Sequence, residues 1–301
     1  MAASELRLAA EDPAPPSAPG AAGDGLVPGL LGEGDIDSGL ALSDGAGWNQ
    51  TGDDWRIFIR HGRTIGLRDG KGRWVATAAA LPYGNDHGYV SMVLVAGDWR
   101  HRGLASRLMD DCVAHLRASG IVPLLDATPA GAAVYRRIGF VSGFEIDRWE
   151  RPARAAPDRP DAPAPALDLE ALCDLDRAAT GLERRFLLAD FLSRPATRAW
   201  QSDDGRGFVL ARAGRRATQI GPLVAADERQ AAGLLATALD AASDAGRPVF
   251  LDLPREHRRL ADRLERQGFV RQRPFVRMSL GATEAPRLGT GLFVLAGPEF
   301  G

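Results

Sequence analysis

A short basic turn between an apolar run and a helix-like run has the residue types needed to bind a diphosphate. Residues 93–95 are apolar, Arg100 and Arg102 follow, and Gly103 opens a stretch with apolar residues at helical spacing. The start of a helix has unpaired backbone N–H groups and the positive end of the helix dipole, and both attract anions. Gly103 and the small Ala105 let a phosphate approach closely, and the arginines add charge-assisted hydrogen bonds. The turn therefore predicts a pyrophosphate site.

Composition and motif spacing exclude several other classes of protein. The turn matches neither GxxxxGK[ST] nor GxGxxG, so a P-loop nucleotidase is not expected. A net charge of −2 lacks the basic excess of nucleic-acid-binding proteins. The two cysteines, Cys112 and Cys173, form no CxxC pair, and we expect no metal site. No apolar run approaches the roughly 20 residues that span a bilayer, and no secretory signal is present, so we expect a cytoplasmic protein.

The elements around the turn follow an order of strands and then alternating helices and strands. Hydrophobic spacing predicts helices at 35–43, 53–61, 103–119 and 130–138, and strands at 64–67, 74–81, 89–95, 121–125 and 140–149. Thr51 is the expected N-cap of the second helix. This order predicts an α/β fold, with a mixed sheet flanked by helices.

Two proline-rich stretches divide the chain. The composition of residues 1–34 predicts a disordered tail, and that of residues 151–166 predicts a linker between domains. Two folded segments remain, 35–150 and 167–301, and the second repeats the element order of the first.

An internal repeat supports a duplication. Residues 94–100 match 223–229, and 139–141 match 268–270, each 129 positions later. Short strings rich in Ala and Val also recur by chance, but two matches at one offset within the same element order favour a tandem array of one fold.

The turn and its context resemble the GCN5-related N-acetyltransferase (GNAT) family. Residues 100–105 fit that family's signature [QR]xxGx[GA], and residues 135–140 fit its YxxxGF element. The resemblance extends to residues 48–55, 125–131 and 296–301, which look like those of a bacterial subfamily with a second, diverged acetyltransferase-like domain. It implies a tandem GNAT fold.

The resemblance also implies a site for acetyl-coenzyme A or a short-chain acyl-coenzyme A. Tyr135 would face the thioester sulfur and protonate it, with a core role as the alternative. The pantetheine arm would pair as an added strand with the backbone of Met92, Val93, Leu94 and Val95. The amides that would hold the pyrophosphate are those of Arg100, His101, Arg102, Gly103, Leu104, Ala105 and Ser106.

The base that would deprotonate the acceptor ammonium is not evident from the sequence. Asp126 lies at a strand end near the expected cleft, where it either acts in catalysis or shapes the following turn. Glu299 and His87 are further candidates, with surface or loop roles as alternatives. The residues that either line the acceptor pocket or serve the fold are Trp48, Trp55, Tyr83 and Glu299.

In the second copy, the offset of 129 places Ala232 at the position of Gly103 and Leu234 at that of Ala105. It also places Leu264 at the position of Tyr135. Because a leucine at the helix start would fill the volume that a pyrophosphate needs, we predict that this copy does not bind coenzyme A. It would instead pack on the first domain or wall off the acceptor cleft.

We therefore expect an acyl-coenzyme A-dependent N-acyltransferase that acts on a primary amine of a small molecule, as a monomer or homodimer. Protein amines are an alternative acceptor. Two other functions remain open: a sensor that binds acyl-coenzyme A without catalysis, and an interaction module without a ligand.

Overall fold

Twelve strands form one mixed sheet in the residues that the computed structural model describes, 25–153, 167–243, 246–282 and 284–301. The predicted α/β fold, a mixed sheet flanked by helices, is confirmed. Most of the predicted tail, 1–24, and most of the predicted linker, 154–166, lie outside the described residues. None of the helices in the described part of the chain is both long and apolar enough to cross a membrane.

The two halves have matching series of elements. In the first half they are β1 (Val27–Leu30), α1 (Ile36–Gly45), α2 (Gly52–His61), β2 (Arg63–Arg68), β3 (Trp74–Tyr83), β4 (His87–Val95), α3 (Leu104–Ala118), β5 (Val122–Ala127), α4 (Pro129–Arg137) and β6 (Phe140–Arg151). In the second half they are α5 (Leu169–Thr180), α6 (Arg185–Ser193), β7 (Arg198–Gln201), β8 (Phe208–Ala213), β9 (Thr218–Val224), α7 (Glu228–Ser243), β10 (Val249–Pro254), α8 (Arg258–Arg266), β11 (Val270–Leu280) and β12 (Leu292–Val294).

Strand β1 corrects the predicted boundary of the tail, because it lies within residues 1–34. It pairs antiparallel with β2 along its whole length, from Val27 opposite Arg68 to Leu30 opposite Ile65. All four of its residues are exposed, so backbone pairing holds the strand and its side chains carry no alternating pattern. Strands β7 and β12 are likewise too short for such a pattern to reveal them.

The two halves exchange their last long strands. The sheet order is β1-β2-β3-β4-β5-β11-β6-β10-β9-β8-β7, with β12 beside β9. Strand β11 of the second half therefore lies between β5 and β6 of the first half, and β6 pairs in turn with β10. At the centre, β6 and β11 pair antiparallel. Neither half has a complete sheet without the other.

One face of the sheet carries a hydrophobic core that both halves share. Residues of α1, α2, α5 and α6 contribute to it, together with Phe300. Phe300 belongs to residues 296–301, which follow β12 and which we call the wall segment. Its ring stacks on Phe58 of α2 at 5.0 Å and meets Phe191 of α6 edge-on at 5.4 Å. On the other face, α3 packs on the first half and α7 and α8 pack on the second.

Thr51 caps α2, as the sequence predicts. Its hydroxyl accepts a hydrogen bond from the Asp54 amide, and the Asp54 carboxylate accepts one from the Thr51 amide at 2.8 Å. The same carboxylate pairs with Arg194 at 2.8 Å. The start of α2 is thus fixed to the second half as well as capped.

Two buried ion pairs hold the exchanged strands in register. Asp126 of β5 lies opposite Arg277 of β11, and Asp252 of β10 lies opposite Arg148 of β6. Both pairs are bidentate, at 2.6 and 2.9 Å for the first and 2.8 Å twice for the second. All four side chains are at most 7% exposed. Arg148 and Arg277 are 129 positions apart, so the pairs are equivalent and each joins one half to the other.

We expect Asp252→Asn to lower the free energy of unfolding by about 3–5 kcal/mol, because it leaves a buried charge on Arg148 unpaired. Urea denaturation at neutral pH measures this loss. The control is Glu183→Gln, which breaks an exposed pair with Arg177 and should leave stability unchanged within error. Equal stability of the two variants would contradict the role of the buried pair.

Candidate active site

A gap opens in the sheet where β4 and β5 separate. Their parallel ladder joins residues 87–89 to residues 122–124 and ends there. Beyond it both strands continue, β4 to Val95 and β5 to Ala127, without pairing to each other. Two diverging parallel strands expose backbone groups that an extended ligand can pair with.

A bulge in β4 lies beside this gap. Residues 91–94 of β4 span only residues 77–79 of β3, so Met92 and Val93 together oppose one residue. Met92 has a φ of +52°, and its carbonyl accepts a hydrogen bond from the Thr77 hydroxyl at 3.0 Å. A bulge bends its strand and interrupts the ladder, which turns β4 away from β5.

A cavity of about 200 Å³ occupies the gap and has walls from both faces of the sheet. Met109 of α3 and Tyr135 of α4 line it from one face. Trp48, which precedes α2, and Glu299 of the wall segment line it from the other face. Ligands from the two faces can therefore meet between the strands.

The turn between β4 and α3 presents a helix start that no side chain caps. Gly103 is the N-cap, with a φ of +74°. The amide of Arg107 donates to the Gly103 carbonyl at 3.1 Å, so the amides of residues 104–106 have no partner within the helix. A Cβ at Gly103 would meet open space. The residues of this turn fit the predicted pyrophosphate site.

The basic residues of the turn are ordered by local contacts. Arg100 donates to the Val95 carbonyl at 3.4 Å, and Arg102 donates to the Asp98 carbonyl at 3.1 Å. His101 has a φ of +61°, so the turn contains a second left-handed residue besides Gly103. Met109 of the same helix lines the cavity, whereas none of residues 100–106 belongs to its lining.

The four β4 residues predicted to pair with a pantetheine arm divide into two groups. Met92 and Val93 line the cavity. Leu94 and Val95 lie outside its lining, opposite Thr77 and Ala76 of β3.

Tyr135 faces the cavity from α4. The helix begins after Thr128, whose hydroxyl accepts a hydrogen bond from the Gly131 amide at 3.3 Å. Gly131 leaves room for the ring, because a Cβ there would lie 3.2 Å from it. Burial raises the pKa of Tyr135 to about 12, so its hydroxyl remains a proton donor at neutral pH.

Asp126 lines the cavity, but its geometry does not suit a catalytic base. Both carboxylate oxygens accept hydrogen bonds from Arg277. Burial raises the pKa of Asp126, and the paired guanidinium opposes that effect. The prediction of a catalytic Asp126 is therefore corrected. Its arginine partner comes from the other half, so the alternative of a turn-shaping carboxylate does not describe it either.

Glu299 reaches the cavity from the wall segment. Its Oε2 atom is buried and has no hydrogen-bond partner among the described residues. Burial raises the pKa of Glu299, opposed by Arg148 and Arg212 and reinforced by Asp54. A carboxylate that takes up a proton more readily than usual suits a general base. Glu299 thus replaces Asp126 as the candidate base.

Of the residues with a pocket role and a core role as alternatives, Trp55 and Tyr83 lie in the core. Trp55 is fully buried on the inner face of α2, and its indole N–H donates to the Ser43 hydroxyl at 3.2 Å. Tyr83 is buried, and its hydroxyl donates to the Phe300 carbonyl at 2.8 Å. Both are therefore structural. His87 lies in the paired end of β4, away from the gap.

Four polar residues of the cavity have no role in the sequence predictions: Gln50, Ser91, Arg148 and Arg273. For Arg148 the sequence does contain a signal, because the repeat offset of 129 residues aligns it with Arg277. Gln50 and Arg273 belong to different halves, so no local pattern brings them together. Within the described ranges, no three His, Cys, Asp or Glu side chains gather as metal ligands would.

The second half has the same bulge, but its gap is filled by the chain itself. Residues 220–223 of β9 span only residues 209–211 of β8, and β9 pairs with β10 over three residues only. Strand β12 then pairs with β9, and the Leu295 amide donates to the Asp252 carbonyl of β10 at 3.0 Å. A Cβ at Gly221 would collide with the Leu295 carbonyl. This filling supports the prediction that the second copy does not bind coenzyme A.

The physical reason for that prediction needs correction. Only three residues separate β9 from α7, whereas eight separate β4 from α3, so the whole phosphate-binding turn is missing. Ala232 and Leu234 lie inside α7 rather than at its start, and their side chains are buried. Leu264 of α8 is likewise buried in the core.

Both halves match acetyltransferase sequence profiles. Residues 41–140 match the "Acetyltransferase (GNAT) family", and residues 172–293 match the "Acetyltransferase (GNAT) domain". No curated protein matches the chain significantly.

Several solved structures share the fold across nearly the whole chain. A putative acetyltransferase from Pyrococcus horikoshii has a TM-score of 0.76 and 18% identity, covering 95% of this chain and 99% of that one. A GCN5-related N-acetyltransferase from Sphaerobacter thermophilus has a TM-score of 0.61 and 17% identity, covering 90% and 99%. A tandem GNAT protein from the clavulanic acid biosynthesis pathway has a TM-score of 0.59 and 16% identity, covering 86% and 100%. These likenesses establish the fold, and the tandem arrangement expected from the repeat is confirmed.

We expect Gly103→Asp to weaken acetyl-coenzyme A binding by about 100-fold or more, because a carboxylate repels a diphosphate at close range. Gly103→Asn is the control for side-chain size and backbone strain, since asparagine is neutral and tolerates positive φ. Its loss of affinity for acetyl-coenzyme A should be much smaller. Gly233→Asp adds the same charge at an exposed position of α7 and should bind normally. Isothermal titration measures all three, and wild-type affinity in Gly103→Asp would refute the site.

Proposed function

The chain belongs to the GNAT acetyltransferase family, and we propose that it moves an acetyl or short acyl group from acyl-coenzyme A to a primary amine of a small molecule. The observation that carries this proposal is the meeting of two groups in one cavity. Tyr135 lines it from the face of α3 and α4, and Glu299 lines it from the opposite face. A proton donor and a proton acceptor thus flank the gap between β4 and β5.

The residues of the first half would hold the co-substrate. The free amides at the start of α3 suit its pyrophosphate, and the diverging edge of β4 suits its pantetheine arm. Because the bulge interrupts the ladder to β3 at Met92 and Val93, we assign the polarisation of the thioester carbonyl to a backbone N–H of these residues.

Each residue then has one task in the transfer. Glu299 takes a proton from the acceptor ammonium, which leaves a neutral amine. The amine nitrogen bonds to the thioester carbon, and the carbon–sulfur bond breaks. Tyr135 gives its proton to the departing sulfur. The second proton of the acylated nitrogen then restores the Tyr135 hydroxyl, and the proton held by Glu299 leaves to solvent. Orienting the two substrates in one cavity also lowers the barrier, since well-placed reactants can gain roughly 7–11 kcal/mol.

The second half supports a small acceptor. Arg273 of β11 and Glu299 of the wall segment line a cavity of only about 200 Å³. A protein substrate would need a groove that admits extended chain, so a free small amine fits better than a lysine side chain in a protein.

Thiol release in the presence of acetyl-coenzyme A and a panel of small amines tests the activity. The proposed enzyme releases coenzyme A and yields an acetylated amine, detected by its mass. Tight cofactor binding without release on any amine would instead identify a sensor, and the absence of cofactor binding would leave an interaction module.

We expect kcat/KM to fall as pH drops through the raised pKa of Glu299, because only the ionised carboxylate accepts a proton. This acidic limb should lie above the ordinary glutamate range near pH 4.3. Glu299→Gln should remove the limb and lower kcat by about 100-fold or more. If the acidic limb of the kcat/KM profile persists in Glu299→Gln, a group other than Glu299 causes it.

Tyr135→Phe should lower kcat by about 100-fold, because it removes the proton donor while keeping the ring. Its dissociation constant for acetyl-coenzyme A should change little. Unchanged turnover, measured beside titration calorimetry, would exclude Tyr135 as the acid.

A further inference from the structure

Four buried polar atoms that lack a hydrogen-bond partner line the same cavity. They are Gln50 Oε1, Ser91 Oγ, Glu299 Oε2 and Arg273 Nε. Native proteins leave few buried polar atoms unpaired, because each costs free energy. Because all four atoms line one cavity, we infer that a ligand there supplies their hydrogen-bond partners.

Three of the four atoms suit a positively charged amine. The Gln50 oxygen accepts hydrogen bonds only, the Glu299 carboxylate oxygen accepts and adds negative charge, and the Ser91 hydroxyl can also accept. An ammonium has three N–H donors. Its donors equal these acceptors in number.

The fourth atom, Nε, belongs to Arg273. This arginine is the cation of the cavity lining that lacks an anionic partner among the described residues. The other arginine in the lining, Arg148, pairs with Asp252, and Arg277 beside the cavity pairs with Asp126. Among the described residues, no carboxylate oxygen lies within 4.0 Å of the Arg273 guanidinium. Burial and the neighbouring Arg148 lower the pKa of Arg273 to about 10, and the group remains charged at neutral pH.

The planar guanidinium of Arg273 suits a carboxylate, which it can bind through two parallel hydrogen bonds. The aromatic ring of Phe275, 5.2 Å from the guanidinium carbon, limits where it can move. Phe275 also lines the cavity, so the charged group stays at the wall. The cavity thus presents one cation and one anion that form no ion pair with any of the described residues.

We propose that the acceptor is an amino carboxylate whose ammonium binds Glu299, Gln50 and Ser91 and whose carboxylate binds Arg273. This assignment rests on the proposed function, because it names the substrate of the same cavity. A zwitterion of this kind matches both unpaired charges at once. An amine without the carboxylate leaves Arg273 buried and unpaired, and sites with such unmatched groups reject the ligand.

The test compares each L-amino acid with its own decarboxylated amine, which differs only in the carboxylate. The kcat/KM with acetyl-coenzyme A should favour the best amino acid over its amine by about 10- to 100-fold, as expected for a lost charge-assisted hydrogen bond. Arg273→Gln should bring this ratio close to one. Arg273→Lys should give an intermediate ratio, because it keeps the charge and loses the paired donors.

Arg271→Gln is the matched control, because Arg271 lies two residues earlier on β11, is 61% exposed and lies outside the cavity lining. Its ratio should equal that of the unaltered protein. A ratio near one in the unaltered protein, or an unchanged ratio in Arg273→Gln, would overturn the proposal.

Binding gives a readout that does not require turnover. With coenzyme A present, amino acids should raise the melting temperature of the unaltered protein, and their decarboxylated amines should not. Arg273→Gln should abolish this shift. Binding of amino acids without transfer would support the binding of an amino carboxylate in this cavity and refute the catalytic function. Transfer to amines without any response to amino acids would refute the assignment and retain the function.

Discussion

Two crossed carboxylate–guanidinium pairs, Asp126 with Arg277 and Asp252 with Arg148, are the constraint on which the architecture depends. Each pair fixes the last long strand of one half against the sheet of the other. Buried ion pairs of this kind often add little net stability, but a shift of one residue along the strand would leave four charges buried without partners. We infer that they chiefly enforce one register, and with it the position of every residue that β11 brings to the cavity.

The second half serves the site of the first half by forming its walls. Its own gap is filled by β12, and its phosphate-binding turn is missing, yet it supplies Arg273, Phe275 and the segment that carries Glu299. The second copy thereby lines the cavity of the first. In the proposed reaction the two halves divide one task, since one would hold the co-substrate and the other would complete the acceptor side.

The sequence was informative where chemistry is local and silent where it depends on pairing across the chain. The strand, the basic turn and the helix around Gly103 follow from neighbouring residues, and so do the Thr51 cap and the repeat. The exchange of β6 and β11 does not, because either strand would pair equally well within its own half by pattern alone. Gln50 and Arg273 line the same cavity only as a result of that exchange. Residue type alone leaves Trp55 and Tyr83 between the pocket and the core, whereas helix orientation and a distant carbonyl place them in the core.

The exchanged strand also sets an order of events during synthesis. Asp126 and Arg277 are 151 residues apart, so the edge of β5 lacks its native partner until β11 has left the ribosome. An unpaired edge is a template for wrong pairing with other chains. The nascent first half therefore emerges with an edge that can pair with β6 or with another chain until the last strands arrive.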